Sequence, residues 1–107
     1  VSRSLRAGHP VTMDRIDTVA DGLAPPYTRA RNLALVQQYV DQLITVTDAA
    51  ILDALRAIVG KAKLVVEPGG AAAIAALTTI AIEGPAVAIL TGGNVDSVRL
   101  GQWLAMQ

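Results

Sequence analysis

An unbroken apolar run that ends in a glycine-rich loop constrains this chain more than any other stretch. Residues 86–90 (Ala-Val-Ala-Ile-Leu) are followed directly by residues 91–94 (Thr-Gly-Gly-Asn), and Asp96 then opens an amphipathic segment. This order predicts a strand, a tight loop and a helix. Ligands bind at the carboxyl ends of strands in open α/β sheets, because loops and helix N-termini converge there. The stretch therefore predicts a ligand site at the tip of a buried strand.

The loop sequence leaves two interpretations open. Two adjacent glycines allow the backbone to approach a ligand closely. The loop matches neither GxGxxG nor a Walker sequence, so it carries no known nucleotide fingerprint. A plain turn that joins strand to helix remains the alternative. The choice between the two interpretations depends on other motifs in the chain.

The composition excludes several classes of protein. The chain has 107 residues, of which 52% are hydrophobic, and it contains no Phe and no Cys. Small and aliphatic side chains suit a parallel sheet covered by helices. Nine basic and nine acidic residues balance to zero, which argues against nucleic acid or an anionic membrane as the main partner. Without cysteine there is no disulfide framework, thiolate metal site or thiol nucleophile.

No feature points to a metal or to a membrane. His9 is the single histidine, and we interpret it as a surface connector residue. No apolar run approaches the 18 residues of a membrane span, and the first six residues lack the apolar core of a signal peptide. We therefore predict a cytoplasmic protein without a metal site. The first residue is Val rather than Met, which suggests processing or excision from a longer chain.

Hydrophobic periodicity and turn residues predict alternating helices and strands. We expect the end of a short helix that stops at Gly8, an extended segment over 16–23, and a helix from Tyr27 to about Val40. A strand over 43–47 precedes a helix that Thr47 caps and whose end is marked by residues 60–63 (Gly-Lys-Ala-Lys). Extended residues 64–67 then lead to a helix with Pro68 in its first position, and the 86–90 strand follows.

This alternation predicts an α/β fold, with a small parallel sheet of about three strands and covering helices. Three parallel strands make a poor complete domain, because both faces of the sheet need cover. We therefore expect residues 1–107 to be either a single domain or a fragment that docks onto another chain segment.

Four separated motifs together resemble one family. They are residues 17–22 (DTVADG), 44–48 (ITVTD), 63–68 (KLVVEP) and 90–96 (LTGGNVD), in this order. They resemble the C-terminal part of the threonine/serine dehydratases and serine racemase, which are fold-type II pyridoxal-phosphate enzymes. The resemblance runs from about Ser4 to Leu104. It implies part of a large cofactor-binding domain, with pyridoxal 5'-phosphate as cofactor and serine or threonine as substrate.

The resemblance assigns cofactor contacts to residues of the glycine-rich loop. It implies that the hydroxyl of Thr91 meets the pyridine nitrogen of the cofactor, where bacterial relatives usually have Ser. A hydroxyl, unlike a carboxylate, does not hold that nitrogen protonated, so the ring is a weaker electron sink and suits elimination at Cβ. Gly92 and Gly93 would leave room for the ring edge. Asn94 and Asp96 fit the same loop, and helix capping is an equally good interpretation of both.

Two further positions are cofactor-wall candidates by the same resemblance. Glu67 lies beside the ring in the family, whereas its alternative role is to compensate the dipole of the helix that begins at Pro68. Gly69 and Gly70 would clear space beside it, which favours the first role. Asp21 and Gly22 belong to a loop at the edge of the active site in the family. A simple turn explains that pair equally well.

The reactive centre of such an enzyme is absent from these 107 residues. A pyridoxal enzyme needs a lysine that forms a Schiff base and a glycine-rich phosphate loop, and both lie upstream in the family. The two lysines, Lys61 and Lys63, fall at a predicted helix end and outside the family's lysine motif. We therefore assign no catalytic residue and expect the chain to be inactive alone.

Two arginines depart from the family pattern and keep a second hypothesis open. Arg29 and Arg31 stand where bacterial relatives have Gly or small apolar residues, and burying them would be costly. The first hypothesis is a dehydratase segment that other chain segments complete. The alternative is a non-catalytic α/β module, degenerate or engineered, that folds by forming homo-oligomers.

Overall fold

The computed structural model describes residues 1–106, and the chain divides into two compact units. The N-terminal unit contains residues 1–18 and 24–44. The C-terminal unit contains residues 19–23 and the chain from residue 45 to the end of the described range. The second unit therefore includes a short piece, 19–23, that comes from the first half of the sequence.

Two helices form the N-terminal unit. Helix α1 (Ser2–Ala7) ends at Gly8, which has the left-handed φ of 74° that glycine adopts without a Cβ clash. Helix α2 (Ala30–Tyr39) buries Leu33. The predicted start at Tyr27 was wrong by three residues. The carbonyl of Pro26 accepts a hydrogen bond from the Met13 amide at 2.7 Å, so it does not serve as a first helical acceptor.

Three helices form the C-terminal unit. Helix α3 (Asp48–Ala57) begins as predicted at Thr47, whose hydroxyl accepts from the Ala50 amide at 3.2 Å. A π-helical turn (Ile58–Ala62) follows α3 with Lys63 as its C-cap, within the predicted end over residues 60–63. Helix α4 (Pro68–Leu77) has Pro68 in its first turn, as predicted. Helix α5 (Ser97–Ala105) begins at Asp96, whose carboxylate accepts from the Arg99 amide at 2.8 Å.

The core of the C-terminal unit lies where α3 packs on α4. Leu55 of α3 and Ala71 and Ala75 of α4 have no exposed surface. Because alanine side chains are short, the two helix axes can approach closely. Trp103 of α5 is nine-tenths buried against the same cluster, and its carbonyl accepts from the Arg56 guanidinium at 3.2 Å.

The predicted parallel sheet is not confirmed, since no β-strand occurs within residues 1–106. A strand exists only when its backbone pairs with a neighbour, and in the predicted strand 86–90 the side chains of Val87 and Ile89 are 92% and 71% exposed. Five α-helices occur in the described range. The end of the extended segment predicted over 16–23 is a 3₁₀ turn, Asp21–Leu23.

Candidate functional site

Glu67 stands at the centre of the candidate site, immediately before α4. Its backbone is extended, and its side chain makes no capping hydrogen bond to the helix. The Glu67 amide donates to the carbonyl of Gly92 at 3.1 Å. This bond ties the start of α4 to the glycine-rich loop, so two of the four sequence motifs meet at one point.

Two glycines make room for the Glu67 carboxylate. A Cβ atom on Gly92 would lie 2.4 Å from Glu67 Cδ, and a Cβ on Gly22 would lie 3.0 Å from Glu67 Oε1. Gly92 also has a positive φ of 73°, which other residues adopt only with strain. The half-buried carboxylate therefore fits only between residues without side chains. The structure brings together three of the residues that the resemblance singled out.

Only one of the two glycines of α4 has the expected role beside Glu67. A Cβ on Gly69 would meet Leu23 at 3.3 Å and Glu67 Oε1 at 3.6 Å, so this position does lie beside the carboxylate. A Cβ on Gly70 would lie 1.8 Å from the carbonyl oxygen of Thr91. The expectation that Gly70 clears space for Glu67 was wrong. Gly70 lets the backbone of the loop lie directly on the helix.

A hydrogen bond that sequence reasoning missed holds the Gly22 turn. The Val19 amide donates to Asp48 Oδ2 at 3.0 Å across 29 residues of sequence, and the adjacent Ala20 is buried. The Gly22 amide donates to Asp21 Oδ1 at 2.8 Å. In the sequence, Asp48 had been noted as the last residue of the 44–48 motif. Its position after the cap was visible in the sequence, but its distant partner was not.

The remaining loop residues lie at the surface. Thr91, Gly93 and Asn94 are exposed, so the hydroxyl of Thr91 does not lie in a closed core. A Cβ on Gly93 would lie 3.3 Å from the carbonyl of Val65. Asp96 has the capping role that was one of its two interpretations. Their cofactor contacts stay predictions, because the geometry alone does not test them.

The fit to pyridoxal phosphate can be judged from the donor set. The cluster offers an exposed hydroxyl at Thr91, glycine backbone and one carboxylate, which suit the edge of a polar ring. It offers no lysine, because Lys63 Nζ donates to the Gly60 carbonyl and Lys61 lies in the π-helical turn. The residues present therefore fit one wall of the cofactor site and leave the covalent attachment to residues outside this cluster.

Neither a metal site nor a membrane span is evident in the part of the chain that the structure describes. No group of three His, Asp or Glu side chains in residues 1–106 has the proximity that a metal ion needs. No helix in the same range is long and apolar enough to cross a bilayer. His9 is exposed and contacts only the carbonyl of its neighbour Pro10 among the described hydrogen bonds.

Comparison with known proteins identifies relatives for nearly the whole chain. The profile of the pyridoxal-phosphate dependent enzyme family matches residues 1–92. The L-threonine ammonia-lyase of Thermotoga maritima is 37% identical over 95 residues, which are 87% of this chain and 24% of that protein. The serine racemase of Schizosaccharomyces pombe is 30% identical over 106 residues, or 96% of this chain and 33% of that protein.

Solved structures agree with these matches. Threonine deaminase isoform 2 from Solanum lycopersicum superposes with a TM-score of 0.82 at 31% identity, over 96% of this chain and 32% of that one. The threonine deaminase of T.th. gives a TM-score of 0.79 at 34% identity, over 88% of this chain and 33% of that one. The chain thus spans between about a quarter and a third of the length of these relatives.

Proposed function

The chain belongs to the family of pyridoxal-phosphate dependent enzymes, and from this premise we propose that it forms the C-terminal part of the cofactor-binding domain of a threonine/serine ammonia-lyase. Such an enzyme converts the hydroxy amino acid into a 2-oxoacid and ammonia. The observation that carries the proposal is the cluster of Gly22, Glu67 and Gly92, which joins three motifs of the family next to Thr91.

In this proposal the chain's own residues orient the cofactor rather than react. The cofactor, when bound, supplies an electron sink that makes the Cα proton of the substrate acidic. The Thr91 hydroxyl would form a hydrogen bond with the ring nitrogen without protonating it, and Gly92, Gly93 and Asn94 would line the ring edge. Glu67 is held next to them by Gly22 and Gly92. The lysine and the phosphate loop come from segments outside residues 1–107.

A chimaera tests this assignment. Residues 1–107 would replace the matching segment of the Thermotoga maritima enzyme, and ammonia release from L-threonine and L-serine would be measured. We expect activity, and we expect Thr91→Val to lower kcat by about 2- to 10-fold, since a hydrogen bond between neutral groups contributes about 0.5–1.5 kcal/mol. The matched Thr91→Ser variant keeps the hydroxyl and should retain activity close to that of the unmodified chimaera.

The chain by itself provides the complementary measurement. With pyridoxal phosphate and L-threonine added, residues 1–107 should release no ammonia, because no lysine belongs to the cluster. Ammonia release by the isolated chain, or equal activity of the Thr91→Val and Thr91→Ser chimaeras, would contradict the proposal.

A second candidate is supported by the exposed apolar side chains of residues 87 and 89. They need cover, which a second copy of the chain would provide if the protein were a non-catalytic homo-oligomeric module. Sedimentation of the isolated chain separates the two candidates. A stable dimer that ignores pyridoxal phosphate supports the module, and a monomer supports the enzyme segment. Cytoplasmic location and homo-oligomeric assembly of the complete protein stay predictions of the sequence.

A further inference from the structure

A short segment of the C-terminal unit, residues 19–23, lies far in sequence from the helices of that unit. It contains one 3₁₀ turn, Asp21–Leu23, and the Leu23 amide donates to the Ala20 carbonyl at 2.9 Å. A turn of three residues fixes its own shape but not its place on the helices. The place of this segment therefore depends on contacts with residues that are distant in sequence.

Asp48 of α3 supplies one of these contacts. Its Oδ2 atom accepts a hydrogen bond from the Val19 amide at 3.0 Å, and the next residue, Ala20, is buried in the core of the unit. A carboxylate acceptor makes a stronger hydrogen bond than a neutral oxygen. The start of a helix also favours negative charge, so the first turn of α3 suits this half-buried carboxylate.

Helix capping does not account for this use of Asp48. Thr47 is the N-cap residue of α3, and its hydroxyl accepts from the Ala50 amide at 3.2 Å. The dipole of α3 would be compensated equally by a carboxylate that points to solvent. The bond to the Val19 amide is therefore an additional function of the Asp48 side chain.

The place of the segment matters because Gly22 forms one side of the space that holds the Glu67 carboxylate. A Cβ on Gly22 would lie 3.0 Å from Glu67 Oε1, and a Cβ on Gly92 would lie 2.4 Å from Glu67 Cδ. The Gly92 side is tied to Glu67 itself, since the Glu67 amide donates to the Gly92 carbonyl. The Gly22 side is held from a different helix, through Val19 and Asp48.

We propose that Asp48 is a positioning residue of the site, because it holds the Val19 amide and thereby the Gly22 turn that keeps the Glu67 carboxylate in place. This role rests on the proposed function, in which Glu67 lies beside the cofactor. Asp48 acts through the backbone of the turn rather than on the cofactor or the substrate. A misplacement of about 1 Å in an active site can lower a rate by about 100-fold, so a distant bond that fixes the turn affects catalysis.

Amide hydrogen exchange in the 107-residue chain tests the first step without a cofactor. Asp48→Ala should speed exchange at Val19 and Leu23 by about 10-fold or more, because the segment opens locally. Asp48→Asn keeps an oxygen acceptor and should restore most of the protection. Asp53→Ala is the matched control on α3, since that carboxylate pairs with Arg56 at the surface, and it should leave both amides unchanged. Unchanged exchange in Asp48→Ala would overturn the positioning role.

The Thermotoga maritima chimaera tests the second step. Asp48→Ala should lower kcat for L-threonine by about 3- to 10-fold and change KM by less than about two-fold, because the turn holds Glu67 rather than the substrate. In a Glu67→Ala background the same substitution should change kcat by less than about two-fold, since residues that act through one another are not additive. Asp48→Asn and Asp53→Ala should both stay close to the unmodified chimaera.

The outcomes separate this role from the proposed function. Equal losses from Asp48→Ala with and without Glu67, in a chimaera that is otherwise active, would overturn the positioning role and leave the proposed function intact. An inactive unmodified chimaera would contradict the proposed function, and the positioning role with it.

Discussion

Helices α2 and α4 both begin without a side-chain cap, yet their N-termini are used in opposite ways. At α4 the protein itself covers the helix start, because Gly70 lies against the Thr91 carbonyl and Glu67 places a carboxylate among glycines. At α2 the first turn contains no acid, and the cation Arg29 lines an open cleft. The start of α4 is therefore part of a packed cluster, whereas the start of α2 with Arg29 is exposed.

The largest effect should come from breaking the packed N-terminus. Gly70→Ala places a Cβ 1.8 Å from the Thr91 carbonyl oxygen, and a backbone atom cannot move aside as a side chain does. We expect a loss of about 3 kcal/mol in the free energy of unfolding, measured by urea titration. Gly101→Ala is the control, because that helical glycine faces open space. It should stabilise the chain by about 0.5–1 kcal/mol.

The opposite signs of these two glycine substitutions are the critical result. If Gly70→Ala were as stable as Gly101→Ala, the loop of residues 91–92 would not lie on α4. The start of α4 would then not be packed against backbone, and the two helix starts would not differ. The cluster on which the proposed function rests would also be contradicted.

Alanine substitutions at Gly92 and Gly84 should have a smaller effect on stability, and their difference should separate side-chain crowding from backbone strain. Gly92 and Gly84 both have positive φ values, 73° and 90°, but only a Cβ on Gly92 would meet a neighbour, the carboxylate of Glu67. Both alanine variants lose about 1–2 kcal/mol to the left-handed backbone. Gly92→Ala should lose about 1 kcal/mol more.

The extra loss at residue 92 has its own control in a second variant. Adding Glu67→Ala removes the carboxylate, so the two glycine positions should then differ by less than about 0.5 kcal/mol in urea titrations. An extra loss that persists without the carboxylate would show that the crowding comes from elsewhere.

The smallest effect concerns the open N-terminus of α2. Arg29→Asp puts a good capping residue at the N-cap and a negative charge at the positive end of the helix. The thermal unfolding of the variant should show a gain of about 0.5–1 kcal/mol in stability. Arg31→Asp lies within the helix rather than at its cap, so it should stabilise less. A destabilised Arg29→Asp chain would mean that the arginine itself supports the fold.

The sequence by itself determined the helices, their caps and the family. The spacing of apolar residues predicted α2, α3 and α5. Local signals predicted the other two helices, through Gly8 after α1 and Pro68 in α4, and Thr47 marked the start of α3. These signals are local: a cap or a left-handed glycine acts within a few residues of itself. The start of α2 was missed because its competitor for the Pro26 carbonyl, the Met13 amide, is 13 residues away in sequence.

Only the tertiary structure decided which residues meet. The sequence predicted Glu67, Gly22 and Gly92 as separate candidates, but their mutual distances depend on three segments folding together. The bond from the Val19 amide to Asp48 spans 29 residues and left no local pattern to detect. The predicted sheet failed to appear for the same reason, because a strand needs a partner backbone, and pairing is not a property of one segment. Helix caps and turns depend on residues that are neighbours in sequence, so the sequence alone predicts them. Contacts between distant segments depend on how those segments pack together, so only the tertiary structure shows them.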